Sequence, residues 1–203
     1  MFFWCIFGFV LQIATRMNEV RIEDIATVQF GLYAKPKDAG SAKYLQAKHF
    51  DDDGVLLERV DTFLDIDAKN EKHLLIDGDV LFVGKGFRNF ASVYRKEMGA
   101  AIASSIFFVL RLDPSKVYPE FLVTLINSGA YQSLFQSMGA GSKITSIRKS
   151  ELGAVSLMLP ALELQKKIAH LRSLHLQDLH LNKQLINLKE LRFQSVVQQL
   201  INQ

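Results

Sequence analysis

Residues 161–203 read ALELQKKIAHLRSLHLQDLHLNKQLINLKELRFQSVVQQLINQ and contain neither proline nor glycine. With nothing to interrupt it, this stretch predicts one helix of about 40 residues, roughly 60 Å long at ~1.5 Å per residue. Counting ~100° per residue from Leu171, the side chains of Leu164, Ile168, Leu174, Leu181, Leu185, Ile186, Leu188, Phe193, Val196, Val197 and Leu200 fall within an arc of about 180°. Lys167, Arg172, Lys183, Lys189 and Glu190 lie mainly outside that arc or on its rim. A domain of ~140 residues has a radius of gyration near ~15 Å and cannot cover such a rod. The rest of the chain offers no second long helix, so the partner helix is expected from another chain. The apolar spacing mixes three and four, with breaks at Asp178 and Arg192. That suits a helix pair or bundle better than a strict two-stranded zipper. His170, His175 and His180 turn by ~140° at each step, so they do not share a face as a zinc-binding pair spaced by three or four would.

Upstream, the pattern is mixed. VRIEDIATVQFG (Val20–Gly31) reads as a short amphipathic helix followed by a strand stopped by Gly31. LYAKPKDAGSAKYLQ (Leu32–Gln46) reads as a loop around Pro36 and Gly40. Turns are expected at Asp53-Gly54 and Asp77-Gly78, the second leading into β-formers that end at Gly84. AIASSIFFVLRLD (Ala101–Asp113) reads as one buried central strand. Pro119 sits where a first helical residue would, Glu120 follows in the first turn, and Gly129 is expected to split the segment into two short helices. A further short helix or turn in Ile144–Ala154 and a strand in VSLMLP (Val155–Pro160) complete the domain. The fold class is α+β: a mixed-sheet domain with short helices over 17–160, then the long helix over 161–203.

Composition is globular, with 49% hydrophobic and 22% charged residues in a chain of 203. The net charge of +3 permits a polyanion partner without demanding one. Cys5 is the sole cysteine, which excludes an intrachain disulfide framework or thiolate zinc site and fits a cytoplasmic protein. The opening MFFWCIFGFVLQIATR (1–16) has no basic region before its apolar run and is too short for a spanning helix of ~20 residues. The preferred reading is an upstream start codon ahead of a native start at Met17. A packing segment and a membrane tether are the alternatives.

Catalytic and cofactor motifs do not assemble. GAGSKITSIRK (Gly139–Lys149) and VGKGFRN (Val83–Asn89) lack the Gly-Lys-Ser/Thr of a phosphate-binding loop. DDDGVLLE (Asp51–Glu58) lacks the alternating oxygens of a calcium loop. The four prolines never pair, which excludes the Asn/Asp-Pro-Pro-aromatic element of an amino-methyltransferase. Asp67-Ala68-Lys69, with an upstream acid such as Asp53, is the element a magnesium nuclease would use, and that reading is kept as a minor alternative. No cofactor, resident metal or catalytic residue is assigned.

Cations interleaved with aromatics and amides remain, in three clusters. Tyr33, Lys43 and Tyr44, with Lys85, Arg88, Asn89, Tyr94 and Arg95, are candidates for reading bases. Lys35, Lys37, Lys48 and Lys96, with Ser142, Lys143, Thr145, Arg148 and Lys149, are candidates for holding phosphates. Arginine and asparagine can bond base edges bidentately, while lysines and hydroxyls hold the backbone.

Three pieces in order resemble the specificity subunit of type I restriction–modification systems: LLIDGDVLFVGKG (Leu74–Gly86), YPEFLVTLINSGAYQSLF (Tyr118–Phe135) and GAGSKITSIRKSELGAVSLMLPALELQKKIA (Gly139–Ala169). In that family a Thr/Ser-Ile stretch, a short helix and a strand run into Leu-Pro, and Glu-x-Gln-x-x-Ile then opens a long helix. Leu159-Pro160, Leu162, Glu163, Gln165 and Ile168 match, as does Gly78-Asp79-Val80, and the resemblance extends from about residue 19 to the end. It implies a non-enzymatic target recognition domain reading double-stranded DNA in the major groove. The implied partners are a methyltransferase subunit and, through the complex, a restriction subunit, with no membrane. A full subunit carries two such domains and two antiparallel helices, whereas this chain has one of each. A homodimer through the helix would restore the pair and read a palindromic split target. A helical scaffold that binds methyltransferase subunits or self-associates without reading DNA is the alternative.

Overall fold

The computed structural model describes residues 17–51, 53–138 and 145–202. The extension expected over 1–16, and the phosphate candidates Ser142 and Lys143, lie outside them. The chain forms two compact units, one ending at Lys166 and the other Lys167–Gln203.

The fold is α+β. Strand β1 (Asn18–Arg21) pairs antiparallel with β11 (Ser156–Leu159), on which Leu157 and Leu159 point inward and Ser156 and Met158 outward. The short helix α1 (Ile22–Ile25) buries Ile22 and Ile25, and its Asp24 carboxylate accepts the Arg21 N–H at 3.0 Å. An antiparallel four-stranded sheet follows the order β2 (Ala26–Phe30), β9 (Phe107–Leu112), β5 (Val80–Val83), β7 (Ala91–Val93). All of β5 is buried because both its faces are covered. Phe82 meets Phe135 of helix α3 (Gly129–Met138) with ring centroids 4.9 Å apart, while Leu81 and Val83 join a cluster with Leu45, Phe50, Phe90 and Phe107.

A smaller sheet runs β4 (Phe63–Leu64), β3 (Ala42–Leu45), β8 (Ala101–Ala103), with β3 and β8 parallel. Two sequence expectations are corrected here. Ala42–Leu45 is a strand rather than loop: Pro36 and Gly40 punctuate only the first half of that segment, and Ala42, Tyr44 and Leu45 are buried. Ala101–Asp113 is two strands in different sheets, turned at Ser104, whose carbonyl accepts the Phe107 N–H at 2.9 Å. The break after α2 (Pro119–Ile126) falls at Asn127, and Gly129 opens α3. The Asn127 side chain accepts the Ala91 N–H at 2.8 Å and donates to the Ala91 carbonyl at 2.9 Å, which ties the helix end to β7.

Two sequence motifs acquire physical causes. In Gly78-Asp79-Val80, Gly78 adopts φ 86°, and the buried Asp79 carboxylate accepts the Ile76 N–H at 2.9 Å and two N–H groups of Arg111 at 3.0 and 2.9 Å. In Glu-x-Gln, the Gln165 amide is buried and fully used: its oxygen accepts the Tyr118 N–H at 2.8 Å, and its NH2 donates to Lys116 O at 3.0 Å and Pro160 O at 2.8 Å. That one side chain staples the first turn of helix α5 (Leu162–Ile201) to the segment leading into α2.

Helix α5 has 40 residues, about 60 Å of helix. Leu164 and Ile168 are half-buried. Leu171, Leu174, Leu181, Leu185, Leu188, Phe193, Val196 and Leu200 are exposed, Leu181 at 62% and Leu200 at 67%.

Candidate nucleic-acid interface

Strands β2 and β5 both run antiparallel to β9, so their C-terminal ends meet at its beginning. Gly31 N–H donates to Phe107 O and Gly84 N–H to Ile106 O, each at 2.9 Å. Ile147 N–H then donates to Gly84 O at 2.8 Å. This draws in β10 (Thr145–Ser146), which pairs with β6 (Lys85–Gly86), Ser146 opposite Lys85 and Thr145 opposite Gly86. A Cβ at Gly84 would collide with the Phe108 ring, so the sheet can turn into this ribbon only at glycine. Segments 31–35, 85–88 and 145–149, far apart in sequence, therefore open from one end of the four-stranded sheet.

At that end the cations are unspent. Lys35, Lys85, Arg148 and Lys149 are exposed and make no ion pair among the described residues. Arg148 precedes helix α4 (Lys149–Gly153), its N–H donating to the Glu151 carboxylate at 2.7 Å.

Elsewhere the candidates are neutralised or displaced. Lys37 pairs with Asp65 at 2.7 Å, and the bond holds that carboxylate below its usual range. Lys48 pairs with Asp61 at 2.7 Å. Hydrogen bonds from Lys48 and then His49 pull Asp61 down to about 2. His49 is buried with Nδ1 accepting the Gln46 N–H at 3.0 Å, so its proton sits on Nε2 and is donated to Asp61 at 2.8 Å. Lys43 is half-buried in β3, opposite Phe63 and Ala101.

Arg95 and Lys96 require a correction. The sequence groups them with Lys85 and Arg88, but β7 runs antiparallel to β5 and carries them to the other end of the sheet, beside Asp77 and Asp79. Six strand steps at ~3.3 Å put the two groups about 20 Å apart. Arg95 pairs there with Asp77 at 3.2 Å and with Glu120. Burial is the largest single influence and works against its charge, but the hydrogen bond to Glu120 and the negative charges of Glu120 and Asp77 together outweigh it and raise its pKa.

Three proposed base readers are core residues. Tyr44 is buried, burial pushes its phenol above the ordinary range, and its hydroxyl donates to Leu32 O at 2.7 Å while accepting the Ala34 N–H at 3.2 Å. Tyr94 is buried and donates to Gly99 O at 2.8 Å. Asn89 is buried and donates to Val83 O at 2.7 Å. None can bond a base without surrendering a satisfied internal partner. Arg88 lies over the Phe90 ring, 4.9 Å from its centroid, and donates to Asp51 O at 2.7 Å, so it braces its own loop. What these residues do is present two rings. The Tyr44 hydroxyl bonds both neighbours of Tyr33, which stands 89% exposed. Arg88 and Asn89 hold the loop that carries Phe87, 84% exposed. The sequence places Phe87 within the cluster of Lys85, Arg88 and Asn89, but it is not among the base-reading candidates because an apolar residue carries no donor or acceptor. Its signal was a lone phenylalanine between Gly86 and Arg88 without an apolar neighbour at period 2.

The acidic elements are turns. Asp51 Oδ1 accepts the N–H groups of Asp53 and Val55 at 2.9 Å, and Asp67 Oδ1 accepts those of Lys69 at 2.8 Å and Asn70 at 2.9 Å. Among the described residues no group of three His, Cys, Asp or Glu side chains is placed to hold a metal, and no helix is long and apolar enough to cross a membrane.

A mixed-sheet unit whose last strand runs into a long helix is the fold of type I restriction–modification specificity subunits. The S subunit from M. genitalium matches with TM-score 0.56 at 16% identity, over 78% of this chain and 38% of that one. The HsdS subunit from Thermoanaerobacter tengcongensis matches with TM-score 0.56 at 18% identity, over 80% and 38%. A chain from a structure describing complex assembly and conformational transition of the type I R-M system matches with TM-score 0.57 at 19% identity, over 80% and 38%. This chain thus spans about 38% of the length of these neighbours. No family model and no curated protein matches the sequence.

Proposed function

We propose that this chain is a non-catalytic, cytoplasmic DNA-specificity subunit of the type I restriction–modification kind, carrying one target recognition domain (17–160) and one pairing helix (161–203). The observation that carries the reading is the convergence of Lys35, Lys85, Arg148 and Lys149, which make no ion pair among the described residues, with the exposed rings of Tyr33 and Phe87 at one end of a sheet. Folding has neutralised Lys37, Lys48 and Arg95 elsewhere and left this end charged. A two-stranded ribbon is narrow enough for the major groove, cations at its base reach phosphates, and polar or apolar side chains at its tip meet base edges. The phosphate role of Ser142, Lys143 and Thr145, which continue the same segment, belongs to this proposal.

The exposed leucines of α5 are covered by a second copy of the helix, which sets two recognition domains a fixed span apart and presents the paired rod to methyltransferase subunits, and through them to a restriction subunit. The test is binding-site selection by the whole chain from a pool of random DNA duplexes. Enrichment of a split, palindromic sequence is expected. Retention of the pool without enrichment, in a protein that still self-associates, would leave only the helical scaffold.

A further inference from the structure

Among the described residues two wholly apolar rings are exposed at this end: Phe30, 58% exposed, rests against the Phe108 ring with centroids 5.2 Å apart, whereas Phe87 is 84% exposed on a loop whose backbone is held on both sides. Gly86 before it pairs with Thr145 in the β6–β10 ribbon. After it, Arg88 is fastened to Asp51 O and to the Phe90 ring, and the buried Asn89 amide to Val83 O. A single exposed hydrophobe needs no explanation by itself. Here, however, the fold commits a guanidinium and a buried amide to the loop that displays it, and the antiparallel register sets Lys85 two positions before it and leads Arg148 and Lys149 away toward the base of the ribbon. Phenylalanine can neither donate to nor accept from a base edge. On the floor of the major groove the one apolar group is the C5-methyl of thymine, and a two-stranded ribbon fits that groove.

We propose that Phe87 is a specificity-determining residue that reads a pyrimidine C5-methyl group in the major groove, with Arg88 and Asn89 as its positioning residues. This rests on the DNA-reading function proposed above. The ring discriminates by contact area alone. Thymine is preferred to cytosine at one position of each half-site, and 5-methylcytosine in place of that thymine retains the apolar contact that plain cytosine lacks.

The experiment begins with parallel selections by the wild-type chain and by Phe87→Ala from a random thymidine-containing duplex pool. Phe87 is exposed, so the substitution leaves the core intact, and a thermal melt verifies this. The alanine variant is expected to enrich the wild-type motif with the thymine requirement relaxed at one position per half-site. In the selected duplex, deoxyuridine at that position should weaken wild-type binding about fourfold, as for one buried methyl, and leave Phe87→Ala unchanged. Phe87→Leu should keep part of the sensitivity.

If the wild type enriches a motif but is indifferent to thymine against deoxyuridine, the methyl-reading role is refuted while DNA specificity stands. A rise in 2-aminopurine fluorescence on wild-type binding, absent with Phe87→Ala and paired with indifference to the methyl, would show that the ring wedges between base pairs instead. If no motif is enriched at all, the DNA-reading function falls and this role with it.

Discussion

Replacing Asp79 by alanine tests whether Gly78-Asp79-Val80 is a structural node. The Asp79 carboxylate is 1% exposed and accepts three bonds, from Ile76 N and from Nε and Nη2 of Arg111. Losing the bond from Ile76 costs about 1 kcal/mol and losing the charge-assisted pair about 2 kcal/mol. Arg111 keeps 32% exposure and can turn to water, so its abandoned charge adds little. The expected loss for Asp79→Ala is about 3 kcal/mol. Arg111→Ala should cost more, about 3–5 kcal/mol, because it strands a carboxylate that has no route to solvent. The double variant removes both charges and strands neither, so it should cost about 3 kcal/mol, well below the sum, leaving a coupling of at least about 3 kcal/mol. Urea unfolding of the whole chain, followed by tryptophan-independent far-ultraviolet circular dichroism at constant m-value, measures all four corners of this cycle. Additive losses, or a single-variant cost under about 1 kcal/mol, would refute the reasoning.

Four further outcomes are expected. Asp61 titrates at about 2 in the fold against 3.8 ordinarily, so the stability it contributes is present above about pH 4 and lost as pH falls toward 2; Asp61→Asn should flatten that part of the urea-midpoint profile. Lys85→Glu with Lys149→Glu should weaken binding to any duplex at least tenfold and reduce the salt slope by about 2. The pair Lys37→Glu and Lys48→Glu should do less, because those cations are already tied to Asp65 and Asp61, and equal losses would undo the distinction. Gln165→Ala leaves Tyr118 N–H, Lys116 O and Pro160 O without their partner and should destabilise the globular unit by about 2–3 kcal/mol in the same urea assay, where Gln165→Glu should be only partly tolerated. Leu181→Glu with Leu185→Glu should convert a self-associated chain to monomer by light scattering at micromolar concentration, each leucine losing about 1–2 kcal/mol of burial, and an unaltered mass would remove the helix pairing.

The sequence by itself determined the elements whose signals are local and periodic. The long helix follows from an uninterrupted amphipathic run, the α2 start from Pro119, and the turns from Gly54 and Gly78, because each is set by φ/ψ preference or by a 3.6-residue repeat. It also identified the basic clusters and the Glu-x-Gln motif, though not the bonds that make Gln165 useful. Tertiary structure alone decided which of those cations face solvent. The antiparallel β5–β7 pairing sent Arg95 and Lys96 to the acidic end beside Asp77 and Glu120, and the β6–β10 pairing brought Lys85 to Ser146 across sixty-one positions of chain. Local pattern also could not separate Tyr33 from Tyr44, or Asn89 from Arg88, since a polar aromatic or amide has the same composition whether it bonds the interior or meets water. The physical reason is that exposure and charge pairing depend on contacts between strands remote in sequence, whereas helix and turn formation depend on neighbours a few residues away.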